Sequence, residues 1–234
     1  MFLRLLLHPE TVANVVVCGR VGSGKSSLVN MLVGQDCAKI DGSASAYTST
    51  ATAYDAPRLQ DGSTTKIWDT PGLDGTVKEL KKTMCSIKSQ IDKVNGVFVV
   101  IFCHGLMQGR ITEELMKASS VMESVLANVP SVTVALVVTG LELTADWEAW
   151  WRENRAHFKK LVVNYDHHAC ITTTKGDLLS NDEGYRYKSE YQRSADAVRA
   201  MLRECLRGDK PDRTAEIKHP IKDDQGNCLS LLFG

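Results

Sequence analysis

Four apolar residues, Val15, Val16, Val17 and Cys18, run without alternation into Gly19-Arg20-Val21-Gly22-Ser23-Gly24-Lys25-Ser26, and helical spacing begins at Ser26. No other stretch restricts the fold so tightly. An unbroken apolar run reads as a strand buried on both faces. A G-x-x-x-x-G-K-S/T turn that leaves such a strand and opens a helix is a loop whose backbone N–H groups curl round phosphates. Gly22 and Gly24 supply the backbone freedom for that curl. The expected phosphate-binding residues are Gly19, Gly22, Ser23, Gly24, Lys25, Ser26 and Ser27. Lys25 puts its ammonium between the outer phosphates, Ser26 offers a hydroxyl to Mg²⁺, and the helix N-terminus favours anions.

Further β-branched runs at 97–102, 132–138 and 170–173 alternate with helical spacing at 26–33, 77–91, 112–127 and 147–158. Buried strands alternating with helices predict an α/β, doubly wound fold with a mostly parallel central sheet. Segments 52–58 and 64–68 flank Gln60-Asp61-Gly62-Ser63, whose Asp-Gly step predicts one antiparallel edge hairpin. A last helix is predicted over 183–207, with Tyr187, Tyr191, Ala195, Val198 and Leu202 on its stripe and Gly208 as the stop. Residues 1–13 read as a lead-in, 14–207 as one domain, and 208–234 as a polar tail carrying Pro211 and Pro220.

The 28 basic and 28 acidic residues cancel, so there is no basic footprint for nucleic acid. No apolar run approaches the roughly 20 residues of a transmembrane helix, so none is expected. Seven scattered cysteines without a C-x-x-C pair fit reduced thiols and a cytoplasmic setting.

A phosphate loop does not choose between an ATP-using and a GTP-using protein, and the second motif narrows the choice. Ile67-Trp68-Asp69-Thr70-Pro71-Gly72-Leu73 ends a predicted strand in D-x-x-G. There Asp69 approaches Mg²⁺ through water, and the Gly72 N–H can meet a third phosphate, an interaction that ends on hydrolysis. A threonine closing over the metal is expected between 43 and 52, with Thr48 favoured over Thr50 and Thr52. Lys25, Thr48 and Gly72 are therefore the expected catalytic residues, and Ser26, Thr48 and Asp69 the expected metal site.

Guanine is commonly read by N/T-K-x-D after the next-to-last strand, the carboxylate accepting from N1–H and the 2-amino group. Two stretches compete for that role, Thr139-Gly140-Leu141-Glu142 and Thr174-Lys175-Gly176-Asp177. Assigning the second would leave no strand for the last nucleotide loop. The order works with Thr139 and Glu142 reading the base, and with Thr173, Thr174 and Lys175 turning backbone N–H groups to guanine O6. Asp177 is the alternative.

The phosphate loop, Asp-Thr-Pro-Gly-Leu, Val137-Val138-Thr139-Gly140-Leu141-Glu142 and Trp150-Trp151-Arg152-Glu153-Asn154 together resemble a family of small fungal G-domain proteins related to septin and immunity-associated GTPases. The resemblance covers 14–207. It implies GTP/GDP as ligand, Mg²⁺ as cofactor, Thr-Gly-Leu-Glu as the base motif, and Ala46-Tyr47-Thr48 in place of a Gly-Cys-Thr switch pattern. Leu73 stands where many small GTPases carry the water-orienting glutamine. The expected hydrolysis is slow, on the order of 10⁻⁴ to 10⁻² s⁻¹. His104 and Arg110 are candidates to assist, from the same or a second subunit. The expected partners are the nucleotide and a nucleotide-dependent homodimer or effector. A non-hydrolysing scaffold and an ATP-using enzyme are the alternatives.

Overall fold

The computed structural model describes residues 12–39, 48, 50–59, 64–91, 93, 97–106, 112–127, 132–161, 164–165, 167–179 and 184–207. The predicted tail at 208–234, the Asp61-Gly62 turn, Ala46, Tyr47, Arg110 and most of the lead-in lie outside them. Six strands form one sheet: β1 (Val12–Gly19), β2 (Thr52–Ala56), β3 (Thr64–Asp69), β4 (Val97–Gly105), β5 (Val132–Thr139) and β6 (His167–Cys170). Their spatial order is β2-β3-β1-β4-β5-β6, every pairing is parallel except β2 with β3, and β2 is an edge.

Residues alternate between the two faces of a strand, and here both faces are apolar. On β1, Val16 and Cys18 join one core, whereas Val15 and Val17 join the other. The first core receives Leu80, Met84 and Ile87 from α2 (Val77–Ile91), Leu115 and Met122 from α3 (Glu113–Leu126), and Trp147, Trp151 and Phe158 from α4 (Trp147–Phe158). The second receives Leu28, Val29 and Leu32 from α1 (Lys25–Val33), and Ala195, Val198 and Leu202 from α5 (Lys188–Arg207). Three helices thus cover one face and two the other, the doubly wound arrangement. On α4, Trp147, Trp151 and Phe158 are core, with Trp150 half-buried against them. Because the chain builds outward from β1 in both directions, a crevice opens at the carboxyl ends of the central strands, where α/β sheets place ligands.

Of the boundaries that differ from those the sequence predicts, three bear on the site. The last strand is His167–Cys170 rather than 170–173, and His168 stacks on Trp151 with ring centroids 4.1 Å apart. After it, Ser194 on α5 accepts the Thr172 N–H at 3.1 Å, so the chain leaves the sheet. The final helix begins at Lys188, not 183, because the preceding residues are tied back to the loop after β6. Leu178 bridges Tyr185, and Tyr187 N–H donates to the Lys175 carbonyl at 2.9 Å. Lastly, β4 runs three residues past Phe102, which puts His104 inside the sheet.

Leu202 is fully buried between α5 and the sheet. Leu202→Ala should cost about 2–5 kcal/mol, read as a lower urea midpoint with an unchanged slope. A loss below about 1 kcal/mol would contradict this packing of α5.

Candidate functional site

The phosphate loop joins β1 to α1 through two left-handed glycines, Gly22 (φ 75°) and Gly24 (φ 81°). At Gly24 the constraint is steric as well as conformational: a Cβ there would stand 3.1 Å from Thr139 Oγ1 and 3.3 Å from Thr173 Oγ1. The loop is therefore wedged against the end of β5 and the loop that follows β6. Ser23 is the hub of this junction. Its carbonyl accepts from Thr139 Oγ1 at 3.0 Å and from the Cys103 thiol, while its own buried Oγ has no hydrogen-bond partner among the described residues. Lys25 is buried and donates to the Arg20 carbonyl at 2.8 Å. Burial lowers the pKa of its amine, because the charged form has lost water. Ser27 sits half-buried in the first turn of α1.

Beside the cradle, Ser26 Oγ and Thr48 Oγ1 both donate to Asp69 Oδ2, at 2.9 and 3.2 Å. The other carboxylate oxygen, Oδ1, is buried with no hydrogen-bond partner among the described residues. Burial raises the Asp69 pKa, with the Ser26 hydroxyl and the Lys25 charge opposing that rise. Two hydroxyls gathered on a buried carboxylate, one of whose oxygens is unsatisfied, are three hard oxygen-bearing groups that fit Mg²⁺. Of the three threonines considered, Thr48 is the one that meets Asp69; Thr50 is exposed and Thr52 opens β2.

The D-x-x-G loop lies directly on the phosphate loop. Thr70 Oγ1 anchors it to the Val17 carbonyl at 2.7 Å, and Leu73 N–H donates to the Gly19 carbonyl at 2.9 Å. Gly72 packs so closely on Val21 that a Cβ would overlap the valine methyl. The Leu73 side chain points away from this surface into the core with Val77 and Leu80, only 1% exposed. One pairing is not apparent from the sequence. Asp74 pairs with Arg20 Nε at 2.9 Å through Oδ1 and accepts the Val21 N–H through Oδ2. Its local signal is an acid one residue past the D-x-x-G-L motif and an arginine inside the phosphate loop.

At the opposite end, Gly140 turns the chain with φ 83° and Glu142 follows. Thr172 Oγ1 donates to Glu142 Oε2 at 2.9 Å, and Leu141 N–H to the Ile171 carbonyl at 3.2 Å, so both base-end loops meet. Buried Trp147 secures the turn by donating from Nε1 to the Leu141 carbonyl at 2.8 Å. Thr173 faces Gly24, while Thr174 and Lys175 are exposed, the lysine lying 5.1 Å from the Tyr191 ring. Asp177 is exposed on the excursion beyond β6, where its carbonyl accepts from Arg186 N–H at 3.0 Å. His104 does not reach the site. It is 3% exposed within β4, its ring edge-on to Phe158 of α4, which removes it as a candidate to assist hydrolysis.

At 28% identity over 158 residues, 66% of this chain resembles 47% of the immune-associated nucleotide-binding protein 3 of Arabidopsis thaliana. The chain thus spans about half the length of that curated relative. Among solved structures, Toc33 from Arabidopsis thaliana in complex with GDP and Mg²⁺ superposes with a TM-score of 0.60 at 16% identity, over 84% of each chain. Toc33 in complex with Mg²⁺ and GMPPNP gives 0.59 at 19% identity, over 84% of this chain and 85% of that one. A bacterial selenocysteine-specific elongation factor gives 0.51 at 14% identity, over 81% of this chain and 28% of that one. At such identities the structures speak for the fold, a Ras-like G domain. The sequence pattern of the AIG1 family matches residues 13–205, from β1 into α5. This bears out the kinship with immunity-associated GTPases, without the fungal grouping, and the chain belongs to the AIG1 family.

Proposed function

We propose that this GTP-binding G-domain protein is a Mg²⁺-dependent nucleotide switch that hydrolyses GTP slowly to GDP and phosphate. The observation that carries the proposal is the convergence of Ser26, Thr48 and Asp69 beside the cradle that holds Lys25. In the bound state the backbone N–H groups of Gly22 to Ser26 hold the diphosphate, and Lys25 turns its ammonium from the Arg20 carbonyl to the outer phosphates. Ser26, Thr48 and Asp69 would hold Mg²⁺, which would neutralise charge on the phosphate oxygens. Gly72 presents its N–H to the third phosphate. Water attacks the terminal phosphorus, the bond to the bridging oxygen breaks with its electrons going to GDP, and the water proton is released with phosphate. Buried Leu73 leaves no side chain at its position to orient that water, which supports a rate on the order of 10⁻⁴ to 10⁻² s⁻¹. Glu142 reads guanine, and Thr173, Thr174 and Lys175 turn backbone N–H groups to O6.

The same leucine favours a second reading, a nucleotide-stabilised scaffold that does not hydrolyse. Turnover measured on the purified chain separates the two. Dimerization is described as important for the GTPase activity of the Toc33 and Toc159 translocon components. A second copy or an effector is the proposed accelerator here. The proposed setting is cytoplasmic, where scattered cysteines without a C-x-x-C pair stay reduced. Among the described residues no helix is long and apolar enough to cross a membrane.

Lys25→Ala removes a charge-assisted interaction worth about 1.5–3 kcal/mol, so GDP affinity should fall at least about tenfold by calorimetry. Unchanged GDP binding would remove Lys25 from the site. For the base, Glu142→Ala should erase most of the preference for GDP over ADP, and Asp177→Ala should leave it intact. The reverse pattern, with Asp177 decisive, would reassign the base motif.

A further inference from the structure

The Asp74 carboxylate is an anion already seated on a loop built to bind anions. It holds the Val21 N–H and the Arg20 guanidinium, and both are parts of the phosphate loop. The ion pair is not deeply buried, its two side chains being 28% and 32% exposed, and nothing in the core requires it. It also sits where the two nucleotide states differ. A diphosphate occupies the N–H groups at the start of α1, whereas a third phosphate must extend to Gly72, which packs on Val21. Asp74 lies two residues beyond Gly72 and grips that same Val21. A third phosphate therefore brings new negative charge towards a fixed carboxylate, and it offers Arg20 a better partner than the one it has.

We propose that Asp74 and Arg20 set the discrimination between di- and triphosphate nucleotides. Asp74 resists the third phosphate while seated on Val21, and Arg20 favours it by exchanging its Asp74 pairing for the added charge. Binding the triphosphate then parts Asp74 from Arg20 while the third phosphate holds the D-x-x-G loop through Gly72, whereas the diphosphate leaves the pair closed. The inference rests on the guanine-nucleotide reading and adds to it the residues that read the phosphate count.

Its signature is opposite effects from the two halves of one ion pair. The test uses the full chain stripped of nucleotide, titrated with GDP and with a non-hydrolysable GTP analogue at fixed Mg²⁺ and salt. Asp74→Asn, which keeps the shape and removes the charge, should raise affinity for the analogue relative to GDP by about threefold to tenfold. Arg20→Gln should lower the same ratio by a similar factor. GDP affinity itself should change less than about twofold in Asp74→Asn, and both variants should show near-native unfolding midpoints. A purely structural ion pair would move both midpoints the same way and leave the ratio where it was. That result, or a ratio that shifts in the same direction in both variants, would overturn the inference while leaving the nucleotide site standing. Failure of the unmodified chain to bind either nucleotide would overturn both.

Discussion

The interaction on which the site depends is the wedge of Gly24 between Thr139 and Thr173. It leaves little room for a side chain, and it joins three segments far apart in sequence: the phosphate loop, the end of β5 and the loop after β6. The Ser23 carbonyl, taking hydrogen bonds from Thr139 and Cys103, fixes the same junction from below. Because β1 is buried on both faces at the centre of the sheet, the loop it launches has little freedom to shift. The phosphate loop and the two loops proposed to meet the base are thus held at a set separation by packing and these hydrogen bonds. A nucleotide entering such a site meets most of its partners already in place, which reduces the ordering cost of binding.

The electrostatics of the cradle are those of a site built for charged ligands. Lys25 and Asp69 are both buried, and burial pushes each towards its neutral form. Each keeps only partial compensation: a carbonyl for Lys25, two hydroxyls for Asp69. In the proposed bound state, phosphates beside the lysine and a divalent cation beside the carboxylate would complete both sets. Ligand binding should therefore also stabilise the fold, since the unfolded chain offers no such site. The Asp74–Arg20 pair extends this logic to the outer rim, where a protein carboxylate occupies part of the anion-binding loop.

Much of this is legible in the sequence because its signals are local. The phosphate loop, the D-x-x-G loop and the buried strands each declare themselves within about eight residues, whereas Thr48 shares its segment with Thr50 and Thr52 and is only favoured over them. Features set by distant partners are harder to read. The last strand carries two histidines instead of a β-branched run, and Trp151, stacked on His168, lies on a different element. The helical stripe containing Tyr187 overruns the true helix start, because backbone bonds to the 175–179 loop hold that tyrosine in a turn. His104 resembles a loop residue in sequence, yet β4 runs on to Gly105 and buries it. Asp74 gives little local sign of its role because its partners, Arg20 and Val21, lie more than fifty positions away.

Everything above turns on this cradle and the Glu142 loop binding guanine nucleotide together. Calorimetric titration of the unmodified, nucleotide-free chain with GDP and with ADP, in the same Mg²⁺ and salt, decides the matter. Gly140 leaves the base without a covering lysine stem at that position, so GDP should bind in the micromolar range, about −8 kcal/mol. ADP, with an acceptor at N1 and no 2-amino group, should bind at least about tenfold more weakly. Equal affinity for the two bases, or no binding of either, would contradict a guanine-nucleotide site.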